Sequence, residues 1–472
     1  MGSPSTIEPV LAALRASHQR ILGELVEFAA IPSVSTDPAH AADMTAAAQW
    51  VATKLEAAGP VAVRTIATPG NPVVYGDWLG APGKLTVLVY GHYDVQPPDP
   101  LEKWHSAPFT PTVRDGRLYA RGVSDDKGPM LIPIKVAEAF FASAGALPVN
   151  VKFMFEGEEE IGSENLEAFI AQHTDLLAAD FVLSADGAMW RINEPSLTVA
   201  SRGLAGLEFT LTAAAKDLHS GRHGGGVANP LHAMARLVAS LHHADGRIAV
   251  HGFYDTVRAL TPAERAAIAV LPFDEQAYLR QVGAPAVFGE PGFTTLERQW
   301  TRPTIDVNGM WGGYEGPGQK TVIPSEAHAK ITCRLVPDQD PNDVIALVTK
   351  HLQSHVPPGT TLAVSAADHG AWPAHINGNH FALKAADAAL HAVYGVHPLV
   401  VRMGGTVPVS ELFQRHMNLD TVFFSFSTAD EDYHAPNEFF RVHRLHEGLE
   451  AWARLWHILG NPTGGETSHD AY

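Results

Sequence analysis

Seven side chains that can bind a metal or move a proton stand just beyond runs that read as buried strands. They are His92 and Asp94 in GHYD, Asp125 in RGVSDDKG, Glu159 and Glu160 in EGEEEIGS, Asp186 in LSADG and His434 in DEDYHAPNE. Imidazole nitrogen and carboxylate oxygen are donors that Zn2+ and Mn2+ both accept. Two imidazoles with several carboxylates suit a pair of divalent ions, because one carboxylate can bridge ions about 3.5–4 Å apart. Taken singly, each feature is bland: an HxD is a satisfied pair, an EEE run a solvated loop, an Asp after a strand a helix cap. His92, Glu159-Glu160, Asp186 and His434 each follow a different strand, and that coincidence favours the common reading. Asp94, two residues from His92, reads as the carboxylate that orients the imidazole. Of two adjacent glutamates, one can hold metal while the other takes a proton from water as general base.

The elements that must position these groups are legible in the hydrophobic pattern. Apolar residues recur at helical spacing through residues 7–30 (Ile7, Val10, Leu11, Leu14, Ile21, Leu22, Leu25, Val26), until Pro32. A second helix is predicted over 41–58, ended by Gly59-Pro60. Short apolar, β-branched runs at 85–90, 149–155 and 181–185, with a helix at 130–144, predict an α/β sheet with helices on both faces. In such a sheet ligands bind beyond the carboxyl ends of the strands, where the candidate residues fall.

Near Arg202 the pattern changes. Alternating strands at 207–212 and 329–336, with helices at 230–242 and 341–355, predict a separate two-layer α+β domain. The stretch 253–300, rich in Pro, Gly and charge, reads as an irregular insertion. A helix at 381–394 and a strand at 421–425 lead to His434, so the C-terminal part is expected to rejoin the first domain. The expected division is 1–203 and 380–472 for a catalytic domain, with 204–379 inserted.

A chain of 472 residues, 46% hydrophobic and 18% charged, has ample material for two or three soluble domains. The net charge of -18 argues against nucleic acid or an anionic membrane as partner. Cys333 is the single cysteine, which excludes an intrachain disulfide and a cysteine zinc knuckle, so any metal falls to His, Asp and Glu. The N-terminal stretch carries Glu8 and no long apolar run, and no segment reads as membrane-spanning; the expected location is cytoplasmic.

The pieces YGHYDVQP, LYARGVSDDKGP, FEGEEEIGSENL, KDLHSG, KTVIP, RLVP, GGTVP and HAPNE run in order across nearly the whole chain. With them the sequence resembles the co-catalytic metallopeptidases that include carnosinase, aminoacylase and succinyl-diaminopimelate desuccinylase, and most closely the carnosinase-like cytosolic dipeptidases. The resemblance implies a mixed sheet sandwiched by helices, with the inserted domain acting as lid and dimerisation domain. It implies two divalent ions, Zn2+ or Mn2+, one held by His92 and Asp186, the other by Glu160 and His434. Asp125 would bridge them, with a cis peptide after it. Glu159 matches the general base, for hydrolysis of a dipeptide or short-peptide amide by a metal-bridging hydroxide. His219 in KDLHSG matches an oxyanion-stabilising histidine, which in dimeric relatives comes from the other subunit. Arg334 in RLVP matches the clamp on a substrate's C-terminal carboxylate, which suits a guanidinium fork. Thr321, Gly405 and Thr406 match further substrate-pocket positions.

Two positions bear on substrate. In the family, Asp where Asp186 stands accompanies dipeptidases and aminopeptidases, whereas Glu accompanies deacylases and carboxypeptidases. Many carnosinase-like members carry an acid just before the Gly-Gly pair, and here it is Met403. Loss of that carboxylate weakens capture of a substrate ammonium. A small peptide is therefore the expected substrate, with an N-acyl amino acid, or carboxypeptidase action, as the alternative.

Overall fold

The runs TVLVYGH, NVKFMFE and FVLS form the strands Thr86–His92, Asn150–Glu156 and Phe181–Ser184, and nearly every residue in them is buried. Successive side chains of a strand point to opposite faces, so this sheet is covered on both. The computed structural model describes residues 6–366, 370–405 and 407–462. They form two compact units. One comprises the chain up to Val199, Ile376–Val401 and the chain from Leu412; the other comprises Ala200–His375 and Arg402–Glu411.

In the first unit six strands pair in the order Ala62–Ile66, Val73–Trp78, Asn150–Glu156, Thr86–His92, Phe181–Ser184, Thr421–Phe423. The first two pair antiparallel to each other, the second pairs antiparallel with Asn150–Glu156, and the remaining pairings are parallel. The sheet is therefore mixed. Its parallel register sets His92 opposite Glu156 and Tyr90 opposite Ser184, and Ser184 opposite Phe423. Four strands thus end at one edge, and the residues that follow them are delivered there together. The helix Gly128–Ala144 is apolar almost all round and packs against Glu8–Ala16, Ala41–Ala58 and Val442–Gly460. Trp452 and Trp456 of Val442–Gly460 lie fully buried in this core, with Phe140 and Phe153 about Trp456.

The predicted helix over 7–30 is two helices, Glu8–Ala16 and His18–Ala29, broken at Ser17. The seven-residue step from Leu14 to Ile21 keeps the apolar stripe in phase across the break, so periodicity alone does not reveal it.

In the second unit four antiparallel strands pair in the order Thr304–Trp311, Glu326–Leu335, Gly203–Thr212, Thr361–Ala366. The two central strands alternate buried and less buried residues, as a sheet covered on one face does. The helices Pro230–Ala239 and Pro341–Ser354 pack on that face through Met234, Leu237, Val344, Val348 and Leu352. The stretch expected to be irregular, 253–300, instead carries three short helices, Pro262–Ala269, Glu275–Val282 and Thr295–Thr301. Two of them begin in full capping boxes, Thr261 with Glu264 and Thr294 with Glu297. That T-x-x-E signal was present in TPAE and TTLE.

Candidate metal centre

Asp125 is the centre of the site. One carboxylate oxygen lies 3.1 Å from Nε2 of His92, and the other lies 3.0 Å from Nε2 of His434. His434 Nε2 is also 3.1 Å from Oε2 of Glu160. Two groups able to hold a metal result, His92 with Asp125 and Asp186, and Asp125 with Glu160 and His434, and Asp125 is common to both. In each group one donor atom per residue lies within 4.8 Å of the others. These are nitrogen and carboxylate-oxygen donors only, the set that Zn2+ and Mn2+ take. The peptide bond Asp125–Asp126 is cis.

The backbone explains how the donors converge. His92 closes its strand, and the following turn sends Asp94 back under Glu159 and Glu160. The Asp94 carboxylate accepts their backbone N–H groups at 3.3 and 3.1 Å. The bond from His92 Nδ1 goes to the Asp94 carbonyl oxygen, 3.1 Å away, with the Asp94 carboxylate at 3.4 Å. The Asp94 backbone carbonyl, rather than the expected carboxylate, thus meets the ring, and the carboxylate fixes the start of the glutamate pair. Asp186 is held by the Gly187 N–H at 2.5 Å. Gly91 has no room for a side chain: a Cβ there would come within 2.7 Å of Asp126 and 2.9 Å of Met130.

Electrostatics follow from packing so many carboxylates together. Burial, the largest influence on His92, favours the neutral ring, but Asp125, Asp94, Glu159 and Asp186 together raise its pKa well above the ordinary value. Hydrogen bonds from the ring to the carboxylates of Asp125 and then Glu160 raise His434 to about 10. Burial raises Asp125 as well, yet the two imidazoles outweigh it and hold that carboxyl well below the usual range. Burial, with Asp125 and Glu160 nearby, pushes Asp186 up to about 6. Glu159 is raised well above its ordinary value by burial, with Asp186, Asp125 and Glu160 adding to it. The surrounding carboxylates thus favour the protonated form of both imidazoles.

Gln96 was not singled out in the sequence; its Nε2 donates to Oε2 of Glu160 at 2.8 Å. Nor was Glu438, four residues after His434, which grips the loop carrying Asp125. Gln96 lies in the YGHYDVQP piece and Glu438 in HAPNE, but nothing in their spacing indicates whom they touch.

Within the second unit, His219 and Thr321 come together on a short ribbon. Leu218–His219 pairs with Val322–Ile323, and Ser220 N–H donates to the Thr321 carbonyl at 3.0 Å. His219 is exposed, and its Nδ1 accepts from the Gly221 N–H at 3.1 Å, which leaves Nε2 to carry the ring proton. Arg334 lies in Glu326–Leu335, opposite Leu204. The Gly404-Gly405 turn is held by Arg202, whose Nε donates to the Gly404 carbonyl at 2.9 Å and whose backbone N–H donates to the Gly405 carbonyl at 3.0 Å. Burial first, then the charge of Arg334, lowers Arg202 to about 10. Thr406 lies outside the described residues.

The sequence matches peptidase family M20/M25/M40 over residues 88–457. It is 32% identical over 404 residues to the Beta-Ala-His dipeptidase of Rattus norvegicus, covering 84% of this chain and 82% of that protein. It is 32% identical over 400 residues to the Cys-Gly metallodipeptidase dug1 of Schizosaccharomyces pombe, covering 83% and 84%. Among solved structures, an M20 family metallo-carboxypeptidase from Sulfolobus solfataricus shares 33% identity and aligns with a TM-score of 0.80, over 93% of this chain and 99% of that one. The chain belongs to the M20/M25/M40 peptidase family. It is a metallopeptidase of that family.

Proposed function

We propose that this protein cleaves dipeptides or short peptides with two divalent ions, Zn2+ or Mn2+, shared across Asp125. The observation that carries this reading is the placement of the two Asp125 oxygens, each against a different imidazole. His92 and Asp186 would hold one ion, and Glu160 and His434 the other. Such ions, when bound, acidify a water and polarise the scissile carbonyl.

The remaining work belongs to the chain's own residues. Glu159 takes the proton of the attacking water and returns it to the leaving amine. His219, with its proton on Nε2, is the donor for the developing oxyanion. Arg334 receives the C-terminal carboxylate, with Thr321, Gly405 and Thr406 as further substrate contacts. The reading includes a homodimer in the cytoplasm, in which His219 serves the partner's site. A single, buried cysteine accords with a reducing compartment. No helix among the described residues is long and apolar enough to cross a membrane.

The second reading is a deacylase or carboxypeptidase of the same family. Met403 before the Gly-Gly pair favours it, as does the likeness to a metallo-carboxypeptidase. The test is hydrolysis of a free dipeptide and its N-acetyl counterpart by chelator-stripped protein, with Zn2+ or Mn2+ restored. Preference for the free dipeptide supports the dipeptidase; preference for the blocked form supports the deacylase. No metal-dependent cleavage of either refutes both. Mixing inactive Glu159 and His219 variants restores activity only if the site is shared between subunits.

A further inference from the structure

Glu438 is fully buried, and its carboxylate is saturated by donors from one loop. Oε2 accepts from Arg121 Nη1 and from the Gly122 N–H, both at 2.7 Å. Oε1 accepts from the Ser124 N–H at 2.9 Å and from the Asp125 N–H at 3.2 Å. The Glu438 carbonyl oxygen receives the Ala120 N–H at 3.2 Å, and the Ala435 carbonyl receives Arg121 Nη2 at 3.2 Å. Two segments far apart in the chain are thereby locked: one carries Asp125, the other carries His434.

We propose that Glu438 is a positioning residue that joins the two half-sites of the metal centre. It touches neither candidate ion site through its own side chain. It holds the backbone of Asp125 by charge-assisted hydrogen bonds, and its segment carries His434 only four residues away. A shift of the Asp125 loop would detach the shared carboxylate from both imidazoles at once. Groups that orient metal ligands in this way typically cost about 10–100-fold in metal affinity when removed.

Glu438→Gln is a discriminating change. Each carboxylate oxygen faces two donors, so whichever way the amide is turned, its NH2 meets two further donors. The prediction deepens the two-ion reading and rests on it. The measurement is Mn2+ titration of metal-free protein, followed by equilibrium binding and by electron paramagnetic resonance, with thermal unfolding of the metal-free proteins alongside. The wild type is expected to bind two ions per chain and to show the spectrum of a coupled pair. Glu438→Gln is expected to bind the second ion about 10–100-fold more weakly and to show mainly isolated Mn2+ at equal loading, in a protein that remains folded without metal. Unchanged affinity and unchanged coupling in the variant overturn the assignment of Glu438. A wild type that binds fewer than two ions overturns the two-ion reading itself, and this proposal with it. If Glu438→Gln does not fold, Glu438→Asp replaces it: it keeps the charge, draws the carboxylate back by about 1.5 Å, and is judged by the same two outcomes.

Discussion

On the two-ion reading, metal loading should expel protons. The carboxylates around His92 and His434 favour the protonated rings, raising His92 well above its ordinary value and His434 to about 10. A metal ligand must be a neutral imidazole, so each ring gives up its proton when the ion arrives. Asp125 is held ionised and Asp186 titrates at about 6, so neither contributes at pH 7.5. Loading both sites at pH 7.5 is therefore expected to release about two protons per chain, rising toward three if the raised Glu159 also ionises under the new positive charge. Each proton released adds one unit to the slope of log K against pH, so the overall association constant should climb about a hundredfold per pH unit. The assay is calorimetric titration of Zn2+ or Mn2+ in several buffers of different ionisation enthalpy, where the dependence of observed heat on buffer gives the proton count. His434→Ala should lower the count by about one and remove the ion that Glu160 and His434 would hold. A count near zero in the wild type would mean that the imidazoles are neutral before metal binds, and the electrostatic account of the site would be wrong.

Three further outcomes are expected. Glu159→Gln should retain both ions, by elemental analysis, while kcat falls by about 10^2–10^4-fold; full activity would remove Glu159 from the proton transfer. Gly91→Ala would press a methyl group against the Asp126 carboxylate and the Met130 side chain, so chemical unfolding should show a loss of about 1–3 kcal/mol, with weaker metal retention. The ring of His446 stacks on His18 at 3.6 Å, and burial, then the charges of His18 and His443, lowers it to about 4. The unfolded chain, with an ordinary histidine near 6.5, binds the proton first as pH falls. Stability from this group is therefore complete above about pH 6.5 and is lost on the way down to about pH 4. After allowance for its solvent exposure this amounts to about 1 kcal/mol. His446→Gln should flatten the acid limb of stability against pH by that amount, and an unchanged limb would count against the stacked pair.

Much of the candidate site was legible because His92, Glu159-Glu160, Asp186 and His434 stand at or after strands whose apolar runs announce themselves. The GHYD after LTVLVY and the LSADG after a short apolar run could be placed at a sheet edge without coordinates. The parts that were not legible depend on contacts between distant residues. Glu438 meets Asp125 across 313 positions, and no local spacing encodes that. Gln96 is a polar residue in a loop until Glu160 is brought to it. The three helices in 253–300 are short, so their apolar periodicity is faint, and the capping boxes of two of them were the better signal. Val442–Gly460, whose two tryptophans fill the core, was not anticipated although its pattern is amphipathic.

The outermost strand beside the site, Thr421–Phe423, pairs in parallel with Phe181–Ser184, and the inserted unit lies between them in the chain. The ribosome must therefore translate the whole of that insertion before the last strand can dock and His434 can reach Asp125. Until then a nascent chain carries His92, Asp125, Glu160 and Asp186 but not the imidazole that completes the second half-site. A chain that stops within the insertion would keep the group His92, Asp125 and Asp186 but lack His434, and with it the second group.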